Sequence, residues 1–177
     1  MSKTWFITGA SSGLGREMTE QLLARGDKAV ATARRLDALD DLKGRYGDSL
    51  VTLALELTDT HGIRAAVDEA FQRMGRIDVV VQNAGYGLVG AGEEVSDAEL
   101  DRQIATNLTG SIQLIRAVLP YLRKQGGGRI MQVSSEGGQI AYPNFSVYHA
   151  TKWGVEGFIE SLAQETAPFG IDFIIAE

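Results

Sequence analysis

The chain contains no cysteine, and only three prolines, two histidines and two tryptophans stand among its 177 residues. The missing thiols exclude disulfides, thiolate metal sites and a cysteine nucleophile together, and they agree with a reducing compartment. His61 and His149 are too far apart in sequence to form a local ligand pair, so no metal site is expected. No apolar run is long enough to span a bilayer, and the opening MSKTWFITG lacks the basic segment, apolar stretch and small-residue cleavage site of a secretory leader. The expected location is cytoplasmic. Positive charge is in deficit, with 17 Lys and Arg against 23 Asp and Glu and a net charge of -6. That field repels nucleic-acid phosphates and anionic lipid, so neither nucleic acid nor a membrane is an expected partner. Internal repeats, Pro-rich linkers and low-complexity tracts are also missing, and the 44% hydrophobic and 23% charged composition fits one globular domain over 1–177.

What is present is an alternation of short apolar runs with helix-length amphipathic segments, the pattern of βαβ units on a parallel sheet. Strands are predicted over 3–8, 28–33, 50–55, 78–82, 129–134 and 171–176. Several are near-continuous apolar runs, as strands covered on both faces should be. Leu14, Met18 and Leu22 mark one helical face. Ile104, Leu108, Ile112, Ile115 and Leu119 mark a longer one, whose helix is predicted to begin at Ser96, where Glu99 completes an S-x-x-E capping box. The fold class is α/β with a doubly wound parallel sheet. The last strand carries Ile171, Phe173, Ile174 and Ile175, apolar residues for both faces, and a bare edge there would be a template for aggregation. The functional protein is therefore expected to continue past Glu177, and a chain ending there to be poorly soluble and nearly inactive.

The first strand runs into Thr8-Gly9-Ala10-Ser11-Ser12-Gly13-Leu14-Gly15, after which a helical pattern starts. Glycines in such a turn let the backbone reverse tightly and approach a pyrophosphate, whose charge then meets the free N–H groups at the helix N-terminus. The spacing is not that of a P-loop and lacks its Lys-Ser/Thr ending, which disfavours a nucleoside triphosphatase. About twenty residues on, where an NAD-binding domain carries an acidic residue for the ribose, this chain has Arg34 and Arg35. A guanidinium fork suits a 2′-phosphate, so NADP(H) is expected rather than NAD(H). Further along, Tyr148 and Lys152 are four residues apart in a helical segment, which stacks them on one face. A free tyrosine titrates near pH 10, and acid–base work at neutral pH needs a cation such as Lys152 beside it.

TGASSGLG at 8–15, Asn83-Ala84-Gly85, Asn107, Ser135 thirteen positions before Tyr148, and Tyr148-His149-Ala150-Thr151-Lys152 resemble, in this order, the short-chain dehydrogenases/reductases. The resemblance covers nearly the whole chain. It implies a Rossmann sheet of strand order 3-2-1-4-5-6 without the family's last strand and substrate loop. It implies a catalytic tetrad of Asn107, Ser135, Tyr148 and Lys152. Gly9, Gly13, Leu14 and Gly15 would line the pyrophosphate, Ser11, Ser12, Arg34 and Arg35 the adenosine phosphate, and Asn83, Ala84 and Gly85 the floor under the riboses. Tyr148 would move a proton to and from the substrate oxygen, Ser135 would hydrogen-bond that oxygen, and Lys152 would serve both Tyr148 and the nicotinamide ribose. Asn107 would fix a water beside Lys152. Taken alone, Ser135 could simply end a strand and Asn107 could simply bond a backbone carbonyl in a kinked helix.

The chain departs from the family in three places. Gln82 replaces the first of two asparagines, Glu56-Leu57 stands for Asp-Val at the adenine, and Glu136 follows the serine, either to meet a polar substrate or, as expected here, to face solvent. His149 is assigned no role. Tyr86, Gly87, Leu88, Gln139, Tyr142 and Phe145 imply a partly apolar pocket for a small-molecule carbonyl or alcohol. The helical segments 104–122 and 155–162 carry apolar pairs, Leu114-Ile115 and Phe158-Ile159, beyond one core stripe, and with the resemblance they imply a homodimer or homotetramer. Two other functions share parts of this pattern. A dinucleotide-sensing binding protein would not need Ser135 and Tyr148 together, and a sugar-nucleotide epimerase spaces its glycines G-x-x-G-x-x-G.

Overall fold

The computed structural model describes residues 2–177. Six parallel strands form one sheet: β1 (Thr4–Ile7), β2 (Lys28–Ala33), β3 (Leu50–Ala54), β4 (Val79–Gln82), β5 (Gly128–Val133) and β6 (Ile171–Ala176), in the order β3-β2-β1-β4-β5-β6. The helices are α1 (Gly13–Ala24), α2 (Asp40–Tyr46), α3 (Thr60–Met74), α4 (Asp97–Ile104), α5 (Ser111–Lys124) and α6 (Ser146–Thr166). Alternate strand residues feed opposite faces. Phe6, Val30, Val80 and Ile130 pack with Val67, Leu114 and Ile159 from α3, α5 and α6. Ile7, Ala31 and Val81 pack with Leu22, Leu23 and Leu42 from α1 and α2. The strand order reverses between β1 and β4, which opens a crevice at their carboxyl ends, the place such sheets bind ligands.

The capping box forms as the sequence predicts: Ser96 Oγ accepts from the Glu99 backbone N–H, and the Glu99 carboxylate accepts from the Ser96 backbone N–H. The long helix it opens is not continuous. A π-helical turn, Ala105–Gly110, separates α4 from α5, and apolar residues three and four apart cannot distinguish such a widened turn from regular helix. Gly110 is required within it, because a Cβ there would lie 2.6 Å from the Leu57 carbonyl oxygen. Of the residues the sequence offers as surplus, Ile115 is buried in the core and Phe158 is half-buried against it. The exposed apolar side chains on α4 and α6 are instead Leu100 and Trp153. β6 lies at the sheet edge, where Ile171 is buried and Ile174 exposed. None of the helices among the described residues is long and apolar enough to cross a membrane.

One polar cluster ties the start of the chain to the α1–β2 turn. Asp27 accepts from Lys3 N and Trp5 Nε1, both at 2.9 Å, and from Arg25 Nε at 2.8 Å. Burial alone would push its carboxyl up, but these hydrogen bonds and the Arg25 charge outweigh burial and hold it below the 3.8 of an unperturbed aspartate. Asp27→Ala should cost about 1–2 kcal/mol at pH 7 by leaving two N–H donors without an acceptor. A depressed folded-state value means that this stabilisation is present above pH 3.8 and is lost as pH falls through the folded value. Urea melts should therefore show the gap between the parent and Asp27→Ala narrowing in strong acid. A gap independent of pH would rule out ionised Asp27 as its source.

Candidate active site

β1 delivers Thr8 to the crevice floor, where its hydroxyl accepts from Asn83 N and Ala84 N, both at 3.0 Å, and donates to Gln82 Oε1 at 2.9 Å. The ends of β1 and β4 are thus locked together. The chain then turns at Gly9, with φ of +68°, where a Cβ would meet Ala84 Cα at 2.9 Å. Asn83 Nδ2 donates to the Thr8 and Gly9 carbonyls and braces the turn. A Cβ on Gly15 would lie 2.4 Å from Gly9 O, so α1 can press against the turn only with glycine there. Ser12 precedes α1 in extended conformation without a side-chain cap, and the first turn holds no acidic residue. Its N–H groups therefore lack intrahelical partners beside a cleft walled by Ser11, Ser12, Gly13 and Leu14, which fits an anionic diphosphate.

That cleft, of about 890 Å³, also takes in Arg34, Glu56, Leu57, Asn83, Ala84, Gly85, Tyr148 and Lys152. Arg35 does not join it. Its backbone is extended (φ -122°, ψ 122°), so neighbouring side chains diverge, and Arg35 lies 82% exposed beside Asp37. Of the two arginines expected at the phosphate, Arg34 lines the cleft and Arg35 stands outside its wall. Glu56 is exposed in the wall, with Oε1 accepting from Thr58 N at 3.2 Å.

On the far side, α6 presents Tyr148 and Lys152. Lys152 is buried, its Nζ donates to Val133 O at 3.0 Å, and it lies 5.6 Å from the centroid of the Tyr148 ring. Burial pushes the Lys152 ammonium below its ordinary value, and the Glu156 charge opposes this. Ser135 stands one residue beyond the wall residue Ser134, its Oγ accepting from Gly137 N at 3.0 Å, which leaves its own hydrogen free to donate. Asn107 sits behind the wall in the π-helical turn. Its Oδ1 accepts from Tyr86 N at 3.1 Å, and its Nδ2 donates to Tyr86 O at 2.7 Å and reaches Thr151 Oγ1 at 3.4 Å. The side chain thus pins the loop after β4. Glu136 is exposed as expected, with its carboxylate taking the Tyr142 hydroxyl, and that hydrogen bond holds the Tyr142 phenol above its ordinary value.

Three polar residues here carry no isolated signal in the sequence. Gln82 donates to Ser111 Oγ at 3.0 Å, and Ser111 in turn donates to Asn107 O at 2.8 Å, so the substituted amide links β4 to the π-helical turn. His149 is buried, with Nδ1 2.7 Å from Gly137 O and Nε2 accepting from Tyr142 N at 3.3 Å. Those partners select the tautomer protonated at Nδ1. Glu156 is buried one turn past Lys152. Its one available signal is the repeated spacing of four from Tyr148 through Lys152 to Glu156.

The sequence profile described as short chain dehydrogenase matches residues 3–177. The chain belongs to the short-chain dehydrogenases. It is 44% identical over 178 residues to the oxidoreductase BOA17 of Botryotinia fuckeliana, covering all of this chain and 65% of that protein. It therefore spans about two thirds of that relative's length. Its fold superposes on a short-chain dehydrogenase from Streptomyces avermitilis with a TM-score of 0.95 and 44% identity, over 98% of this chain and 64% of that one. Two other solved short-chain folds carry dinucleotides. The 3-ketoacyl-(acyl-carrier-protein) reductase of Brucella melitensis is complexed with NADH (TM-score 0.91, 31% identity, 98% of this chain and 74% of that). A metagenomic short-chain oxidoreductase is in complex with NADP (TM-score 0.91, 29% identity, 98% and 80%). The glycine turn and the open α1 terminus have the form of a cradle for an anionic group.

Proposed function

We propose that this short-chain dehydrogenase moves hydride between NADP(H) and a carbonyl or secondary alcohol, with Tyr148 as the general acid and base. The observation that carries this is that Tyr148 and Lys152 share one cleft with the glycine turn and Arg34. Gly9, Gly13 and the α1 N-terminus would hold the diphosphate, Arg34 the 2′-phosphate, and Asn83 to Gly85 the ribose floor. The bound nicotinamide supplies or receives the hydride.

The chain's own groups do the rest. The Ser135 hydroxyl, with its hydrogen free, holds the substrate oxygen. Tyr148 gives that oxygen a proton as negative charge grows on it, and takes the proton back in oxidation. The Lys152 ammonium, close beneath the Tyr148 ring, favours negative charge on the phenol oxygen. Asn107 keeps the Tyr86 backbone, and with it one edge of the substrate side, in place. The exposed apolar side chains of Tyr86, Ile140 and Tyr142 favour a carbonyl with an apolar substituent.

The cofactor assignment separates the two arginines. Arg34→Ala should weaken NADPH binding at least tenfold, or about 1.4 kcal/mol, and leave NADH nearly unchanged. Arg35→Ala should change either affinity less than threefold. Titration of each purified variant with both dinucleotides, followed by cofactor fluorescence, gives all four constants. Equal affinity of the parent for NADPH and NADH would overturn the assignment.

A further inference from the structure

The proton transfer above makes no use of a buried carboxylate beside the site. Glu156 is 4% exposed and lies on the α6 face that carries Tyr148 and Lys152, each four residues from the next. Both its oxygens are taken by the segment that carries Ser135. Oε1 accepts from the Ser134 hydroxyl and Oε2 from the Gln139 side-chain amide. The backbone between these two contacts touches the carboxylate, since a Cβ on Gly138 would fall 1.8 Å from Glu156 Oε1.

The same segment is held to α6 at two further points. Lys152 Nζ donates to Val133 O on its near side, and His149 Nδ1 donates to Gly137 O on its far side. Ser135 is thus placed by a row of α6 side chains as well as by its own hydrogen bond from Gly137 N. A neutral amide at 156 could accept from Ser134 as well as a carboxylate does, and burying a full charge is unfavourable unless the charge has work to do. The cation one turn away is the group it can act on.

We infer that Glu156 is a positioning residue of this site: its hydrogen bonds set where Ser135 stands, and it is the buried counter-charge one helical turn from Lys152. The kinetic part rests on the function proposed above; the Lys152 titration does not. Burial pushes the Lys152 ammonium down and the Glu156 charge pushes it up, in agreement with this geometry. The other titratable groups around Lys152 are Tyr148 and His149 on α6, and Glu136 and Tyr142 on the segment after β5. Both His149 nitrogens are occupied, and Glu136 is exposed and bonded to Tyr142. Across the cleft, Glu56, Glu99, Arg34 and Arg102 are solvent-exposed, so water screens them.

The test is the side-chain titration of Lys152 by NMR of the full chain labelled with ε-13C-lysine, the resonance being assigned by its loss in Lys152→Ala. Glu156→Gln keeps one acceptor oxygen, for Ser134, and deletes the charge, and it should lower the Lys152 midpoint by at least one pH unit. Carbonyl reduction at pH 7 should fall about tenfold with little change in KM. An unchanged Lys152 midpoint in folded Glu156→Gln overturns the inference, whatever the activity. If Glu156→Gln does not fold, Glu156→Asp withdraws the charge by one methylene and should lower the midpoint by about half a unit; no shift there overturns the inference equally. A shifted midpoint in a parent protein that turns over no carbonyl would instead leave the positioning role standing and remove the proposed reaction.

Discussion

Replacing Tyr148 with phenylalanine should lower carbonyl reduction by NADPH about a thousandfold or more, while the dissociation constant for NADPH stays within about twofold. The substitution deletes one hydroxyl and keeps the ring that faces Phe145, His149 and Lys152, so α6 and its hold on Ser135 should survive. On the proposed mechanism, what is lost is the proton donor for an oxygen that gains negative charge as hydride arrives. General acid catalysis contributes about 10²- to 10⁴-fold, and Ser135 alone cannot replace a transferred proton with a hydrogen bond. Lys152→Ala should damage affinity and turnover together, because its ammonium lies beside the Tyr148 ring in the same cleft as the glycine turn. Single-turnover rates with stopped-flow detection of NADPH, beside equilibrium titration, separate the two. Near-normal turnover by Tyr148→Phe would show that another group moves the proton, and a dinucleotide-binding role without chemistry would then gain ground.

Gly9→Ala should damage both fold and cofactor cradle, costing about 2–3 kcal/mol of stability and at least tenfold in dinucleotide affinity. Two effects add. Gly9 has φ of +68°, a region that L side chains adopt at a cost of about 1–2 kcal/mol, and its Cβ would stand 2.9 Å from Ala84 Cα, a backbone atom that cannot rotate away. Asn83 braces the same turn, so relief would have to come from separating β1 and β4. Gly13→Ala is the control. It shares the positive φ, at +54°, but nothing lies within 4 Å of its Cβ, so only the backbone cost of about 1 kcal/mol should appear. Urea denaturation of both variants gives the comparison. Equal losses at the two positions would contradict the close approach of the turn to the β4 end.

The amino-acid sequence by itself determined the fold class, the location of the phosphate turn and the presence of the tyrosine–lysine pair. These are short-range facts. A strand announces itself through four to six apolar residues, a helix through spacings of three and four, and a glycine through the φ that only it tolerates. The order of the motifs along the chain then carried the resemblance that gave Asn107 and Ser135 their places. The strand order came with that resemblance, because periodicity alone does not say which strands are neighbours.

Tertiary structure alone decided which polar side chains meet. Arg34 and Arg35 are adjacent and chemically identical, and only the extended backbone at that point sends one to the cleft and the other to Asp37. The π-helical turn that holds Asn107 is invisible in a spacing of three and four that suits either helix. Gln82 and Ser111, 29 residues apart, and Ser134 and Glu156, 22 apart, meet only after the sheet and α6 have packed. A buried polar group finds its partner through space rather than along the chain. For that reason Glu156 reads in the sequence as one more helical glutamate, while in the folded protein it is the carboxylate that fastens the serine strand to the lysine helix.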